Sequence, residues 1–210
     1  MLQPSSPALH PIERYPGFTC FKSAAAIHYP RRWQRDALIQ AALDPTVSSI
    51  RPISDVEWSV APVEFAFGLT IAGTDFAFII SETDAPAHSL GFGQAALKVA
   101  RAALRLEPLW TTSRMVWAEK RFAVDPIIRY QALEAAGARA EGISLQSLLL
   151  TLNSSPLPLE PVLAMLAQGV LEADLGSGLR AHTMLSVGPL FQSARESIPS
   201  ERLRTIRALR

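Results

Sequence analysis

The chain has 210 residues, 49% of them apolar and 19% charged, with 20 Lys and Arg against 19 Asp and Glu. That balance excludes a disordered chain. A formal net charge of +1 excludes a global field toward nucleic acid or anionic membrane, so such binding must come from a local patch.

The length suits one ordinary domain with a small second one. Cys20 is the single cysteine, which rules out an intramolecular disulfide, a Cys-rich zinc site and a CxxC motif. It reads as a buried small hydrophobe, and a reducing, cytoplasmic setting fits. The opening MLQPSSPALHPIERYPGF lacks the basic and apolar regions of a secretion signal. The longest apolar run, Phe65 to Ile80, contains Asp75 and two glycines and reads as a pair of strands, so no membrane contact is expected.

In chain order, residues 1–18 carry Pro4, Pro7, Pro11 and Pro16 and form an extended arm. A short strand FTCF follows. YPRRWQRDALIQAAL is expected as a helix, with Pro30 in its first turn and Asp44-Pro45 as its stop. Trp33, Ala37, Leu38, Ala41 and Ala42 make one apolar stripe, Gln34 sits beside it, and Arg31, Arg32 and Arg35 form a solvated face.

The pattern then turns to strands, VEWSV, EFAFGLTI and TDFAFIISE, the last two joined by a hairpin at Ile71-Ala-Gly-Thr74. QAALKVARAALRL, Gln94 to Leu106, is expected as an amphipathic helix that points Lys98 to solvent. TTSRMVW is expected as a strand, and IIRYQALEAAG as a helix capped by Gly137. ISLQSLLLTL and LEPVLAMLAQG read as two helices, the second closed by Gly169, and VLEADL and HTMLSV as two strands around a Gly-Ser-Gly turn. Helix, turn, helix and a two-stranded wing is a winged-helix layout. The tail FQSARESIPSERLRTIRALR holds Arg195, Arg202, Arg204, Arg207 and Arg210 against two glutamates, either as a surface helix or as a basic arm on DNA backbone.

The phrases WQRDALIQAALDPTVSSI, ALKVARAALRL, SRMVWAEKRF and VLAMLAQGVLEADLGSGLRAHTML, in this order around the strand meander, resemble the TnsA-like endonuclease family of Tn7-type transposition. The resemblance runs from Tyr29 to about Val187. It implies an α/β fold: a restriction-endonuclease-like mixed sheet core of the PD-(D/E)xK type flanked by helices, and a small C-terminal winged-helix-like domain; the chain then divides into the arm, the core over 19–138, that domain over 139–190 and the basic tail over 191–210. Its chemistry needs acidic groups converging on Mg or Mn, which favour hard oxygen ligands, and a lysine to stabilise charge developing on phosphate.

On this sequence the family's first acid falls on Gln34, an amide without charge. The next acid falls on Glu64 in Pro62-Val-Glu-Phe65, and Glu82 is the acid at the end of the following strand. A second register puts Asp75 in the acid's place. No Lys or Arg occurs from Ile53 to Gln94, so the lysine is missing under either register. Glu64 and Asp75 also read as turn caps or solvated groups. His10, His28, His88 and His182 have no metal-ligand spacing, and no phosphate loop is present.

The resemblance therefore implies a degenerate site, with no catalytic residue or metal ligand beyond these vestiges and no resident cofactor. The implied role is DNA binding or assembly of a transposition or mobile-element complex, with a transposase subunit or another protein as partner, or double-stranded DNA. The alternative is an active Mg- or Mn-dependent DNA endonuclease using a rearranged acidic site, which requires Gln34, Glu64 and Glu82 to converge.

Overall fold

A computed structural model of the chain describes residues 17–53, 64–82, 95–152 and 159–192. Residues 1–16 of the proline-rich arm, VEWSV, and the tail with Arg195, Arg202, Arg204, Arg207 and Arg210 lie outside the described residues.

The fold is mixed α/β, a mixed four-stranded sheet flanked by helices. A small antiparallel pair, β1 (Gly17–Phe18) and β2 (Ile27–His28), comes first, so the expected strand FTCF shrinks to its start. Helix α1 (Arg32–Leu43) follows, and Pro30 precedes it instead of forming its first turn. Its expected apolar stripe is buried at Ala37, Leu38, Ala41 and Ala42, with Ile39 and Leu43 joining it. At its end the Asp44 carboxylate accepts from the amide and hydroxyl of Thr46, which turns the chain into the sheet.

The sheet has the order β3-β4-β5-β6. Strand β3 (Val47–Arg51) was not among the strands expected from sequence; β4 (Phe65–Ile71) and β5 (Thr74–Ser81) were. Their hairpin turns through Ala72 at φ 48° and Gly73 at φ 77°, both left-handed as a tight two-residue turn between twisted strands requires. Strand β6 (Ala95–Ala100) adds to β5 in parallel. Phe67 and Ile80 belong to the main core, partly buried Phe65, Phe78 and Val99 pack against it, and Trp33 of α1 meets the Phe65 ring edge-on at 6.2 Å.

Two expectations fail here. The described part of the expected helix, Ala95 to Leu106, is not a helix: its first half is β6 and its second a short 3-10 turn, Arg101–Arg105. Ala, Leu, Lys and Arg favour helix locally, but in β6 Leu97 and Val99 alternate toward apolar neighbours while the backbone pairs with β5, and that pairing overrides propensity. Lys98 accordingly lies on a strand, in register with Ile79. TTSRMVW is likewise not a strand but part of helix α2 (Leu109–Ala118), whose buried Thr112, Ser113, Val116 and Trp117 recur at helical spacing.

Helix α3 (Pro126–Gly137) starts at Asp125, whose carboxylate accepts from the Ile127 amide. Gly137 is its last helical residue, not a left-handed cap. Then come β7 (Ile143–Ser144), α4 (Leu145–Thr151), α5 (Glu160–Ala167), β8 (Leu171–Glu172) and β9 (Met184–Val187). The two strands expected here, β8 and β9, belong to a three-stranded sheet in the order β7-β9-β8, because Ile143 and Ser144 pair with β9 before α4 begins. Gly169 at φ 72° ends α5 as expected and seats its backbone against the Phe21 ring.

One cluster of buried side chains joins α1, the sheet, α2 and α5, including Leu38, Phe67, Val116, Leu148, Met165 and Leu185. No helix among the described residues is long and apolar enough to cross a membrane.

Candidate functional site

Three chain segments end together at one edge of the main sheet. Glu64 precedes β4, Glu82 follows β5 and Arg101 follows β6. The register explains this: Phe65 pairs with Ile80, and Ser81 pairs with Ala100, so the next residue on each strand arrives at the same corner. This is the carboxyl end of the parallel pair β5-β6, where open α/β sheets place ligands.

Gln34 comes to the corner from the first turn of α1. It is 2% exposed and both ends of its amide are occupied. Its Oε1 accepts from the Arg31 amide at 2.8 Å, which satisfies an orphan donor at the helix start. Its Nε2 donates to the backbone carbonyl of Glu64 at 3.3 Å, tying the helix to the first residue of the hairpin. Gln34 is therefore a strut, and its oxygen is engaged.

The centre of the corner is filled by Arg101. One guanidinium nitrogen donates to Glu64 Oε1 at 3.1 Å and Oε2 at 3.4 Å, while the other lies 3.5 Å from Glu82 Oε1. The guanidinium plane sits over the Trp33 ring, 5.8 Å from its centroid. Glu64 is the more sheltered carboxylate; the Glu82 side chain is 73% exposed. A planar, always-charged fork suits this double contact.

The sequence made convergence of Gln34, Glu64 and Glu82 the requirement for an active site; in the structure Gln34 meets only the Glu64 backbone, and the two acids are linked through Arg101. It missed Arg101, because the residue was assigned to a helix. The arginine that closes the corner is the second basic residue, after Lys98, to follow the long stretch without Lys or Arg.

Asp75 does not belong to this cluster. It stands opposite Thr70 at the far end of the hairpin and accepts from the Thr70 hydroxyl at 2.6 Å. Six strand residues separate it from the corner, roughly 20 Å at about 3.3 Å per residue. Asp75 is exposed and bonded to Thr70, as a solvated group beside the hairpin turn.

The donor set does not fit a divalent cation. Magnesium and manganese need several free oxygen donors with negative charge, whereas here the two carboxylates face a guanidinium and the amide oxygen is spent on a helix cap. Among the described residues, no three His, Cys, Asp or Glu side chains come together as a metal ligand set. The chain matches no known family model, no curated protein and no solved structure.

Proposed function

We propose that the protein is a non-catalytic relative of the TnsA-like endonucleases, with a restriction-endonuclease-like core and a winged-helix-like C-terminal part, acting in assembly of a transposition or mobile-element complex. The observation that carries this reading is the Arg101 guanidinium lying between Glu64 and Glu82, where a metal-dependent nuclease needs those acids free. The chain itself supplies a positive charge that engages both acids, so the corner ties the sheet end together and offers a metal one net negative charge instead of two.

A second observation favours protein assembly over reading of DNA sequence. In a winged-helix arrangement the second helix of the pair enters the major groove. Here that helix is α5, and every residue from Pro161 to Ala167 is buried, packed against α2 and the neighbouring chain. A helix apolar on all sides is a core element.

Supercoiled plasmid incubated with magnesium or manganese tests the reading. No nicking is expected, and Glu64→Ala is expected to behave as wild type. Metal-dependent nicking abolished by Glu64→Ala would restore the active-endonuclease reading.

A further inference from the structure

Away from the corner, the outer side of α1 and the start of α2 enclose a groove of about 520 Å³. Arg32 and Arg35 reach it from α1, Arg105 from the 3-10 turn and Arg114 from α2. All four are exposed, and among the described residues none has a carboxylate within salt-bridge distance, both ion pairs there belonging to Arg101. The one acid in the lining, Asp36, accepts from the Trp110 indole N–H at 3.3 Å, which orients the ring at the groove wall. Arg114 lies 5.0 Å from the centre of that ring, and Trp33, half-buried, lines the same space.

We propose that this groove binds a nucleotide unit, a phosphate together with an aromatic base, presented either by a free nucleotide or by a single-stranded nucleic acid. Guanidinium groups without carboxylate partners are suited to phosphate oxygens, which they engage in pairs of hydrogen bonds. Phosphate alone needs no indole walls, whereas a base gains by stacking on them. The volume falls within the range of small-ligand pockets. A duplex keeps its bases stacked inside and offers the indoles nothing. The groove does not involve Glu64, Glu82 or Gln34, so the proposal stands or falls apart from the endonuclease-like ancestry.

The test is fluorescence anisotropy of the full chain with a labelled oligothymidylate of about twenty nucleotides, beside a duplex of equal length and with unlabelled ADP as competitor. The single strand is expected to bind more tightly than the duplex. The double variant Arg105→Glu/Arg114→Glu is expected to weaken it at least about tenfold and to flatten its salt slope by about 1 to 1.5. Trp110→Leu is expected to weaken single-strand binding by about fivefold to a hundredfold, from the lost stacking, without changing the salt slope. Competition by ADP at micromolar levels identifies the free nucleotide as the source; displacement only by oligonucleotide identifies the strand. Circular dichroism melts confirm that the variants fold, as exposure of the two arginines leads one to expect. Absence of binding to both oligothymidylate and ADP at low salt, duplex preferred over single strand, or affinity unchanged in the double arginine variant would each overturn the proposal.

Discussion

The corner at the strand ends and the groove beside α2 share helix α1 and handle charge in opposite ways. At the corner, two carboxylates meet one guanidinium supplied from the neighbouring strand. In the groove, four guanidinium groups meet one carboxylate, and that carboxylate is engaged by an indole N–H. At the corner the guanidinium offsets one of the two carboxylate charges at close range, whereas the groove arginines have no carboxylate partner among the described residues and project their field into the groove. Acids in a suggestive order are thus a weaker guide to activity than whether their charge is already answered.

The largest effect on stability is expected at the strut of the corner. Gln34→Ala strands the Arg31 amide and the Glu64 carbonyl and leaves a small void in a buried position, at a cost of about 2 kcal/mol in a urea melt. A loss below about 0.5 kcal/mol would mean that the helix and the hairpin are tied elsewhere. Arg101→Met comes next, at about 1 kcal/mol, because the pair with Glu64 is only partly sheltered and solvent screens it. Glu82→Ala should be nearly neutral, since that side chain is mostly exposed. In the groove the sign reverses. Arg35→Ala is expected to change stability by less than about 0.5 kcal/mol, with any gain shrinking as salt is added. If Arg35→Ala destabilised the protein as much as Arg101→Met, the contrast between the two regions would fail.

How much of this the sequence carries depends on where each signal is local. The α1 stripe, the β4-β5 hairpin and the close of α5 at Gly169 are set by short-range chemistry, and each was legible. Strand β6 was not, because Ala95 to Ala100 holds residues that favour helix and becomes a strand only through the edge offered by β5. Helix α2 was obscured by Thr, Val and Trp, whose composition suggests a strand while their burial follows a helical period. These two errors hid both charged regions. With Arg101 on a helix, nothing placed it between Glu64 and Glu82, and with α2 as a strand, nothing brought Arg114 and Trp110 beside Arg32 and Arg35. Glu64 and Glu82 were legible as candidates because a hairpin brings the start of β4 and the end of β5 to one end of the sheet; the basic groove was not, because it exists only where α1 and α2 pack.

The smallest effect concerns two lysines that anchor the chain's first described segment. Lys22, buried, donates to the carbonyl of Asp44, and Lys120 donates to that of Thr19 while lying 4.5 Å from the centre of the Trp117 ring. Burial lowers the pKa of each below the ordinary lysine range, and for Lys120 the charges of Arg121 and Arg35 add to that lowering. Between the lowered folded value and the ordinary lysine value, the unfolded chain holds a proton that the native chain has released, so stability rises with pH across that window. Below the folded value both states are protonated and the slope vanishes. Melts on the alkaline side should therefore show a shallow gain that Lys22→Met and Lys120→Met each reduce. Arg35→Ala should shift the Lys120 part of that gain to higher pH, because a lysine relieved of a neighbouring positive charge keeps its proton longer. If Arg35→Ala left the alkaline limb of the curve unmoved, the groove's field would not extend to Lys120, and the contrast between a corner whose acids have a cationic partner and a groove whose arginines have no acidic one among the described residues would be weaker than the geometry indicates.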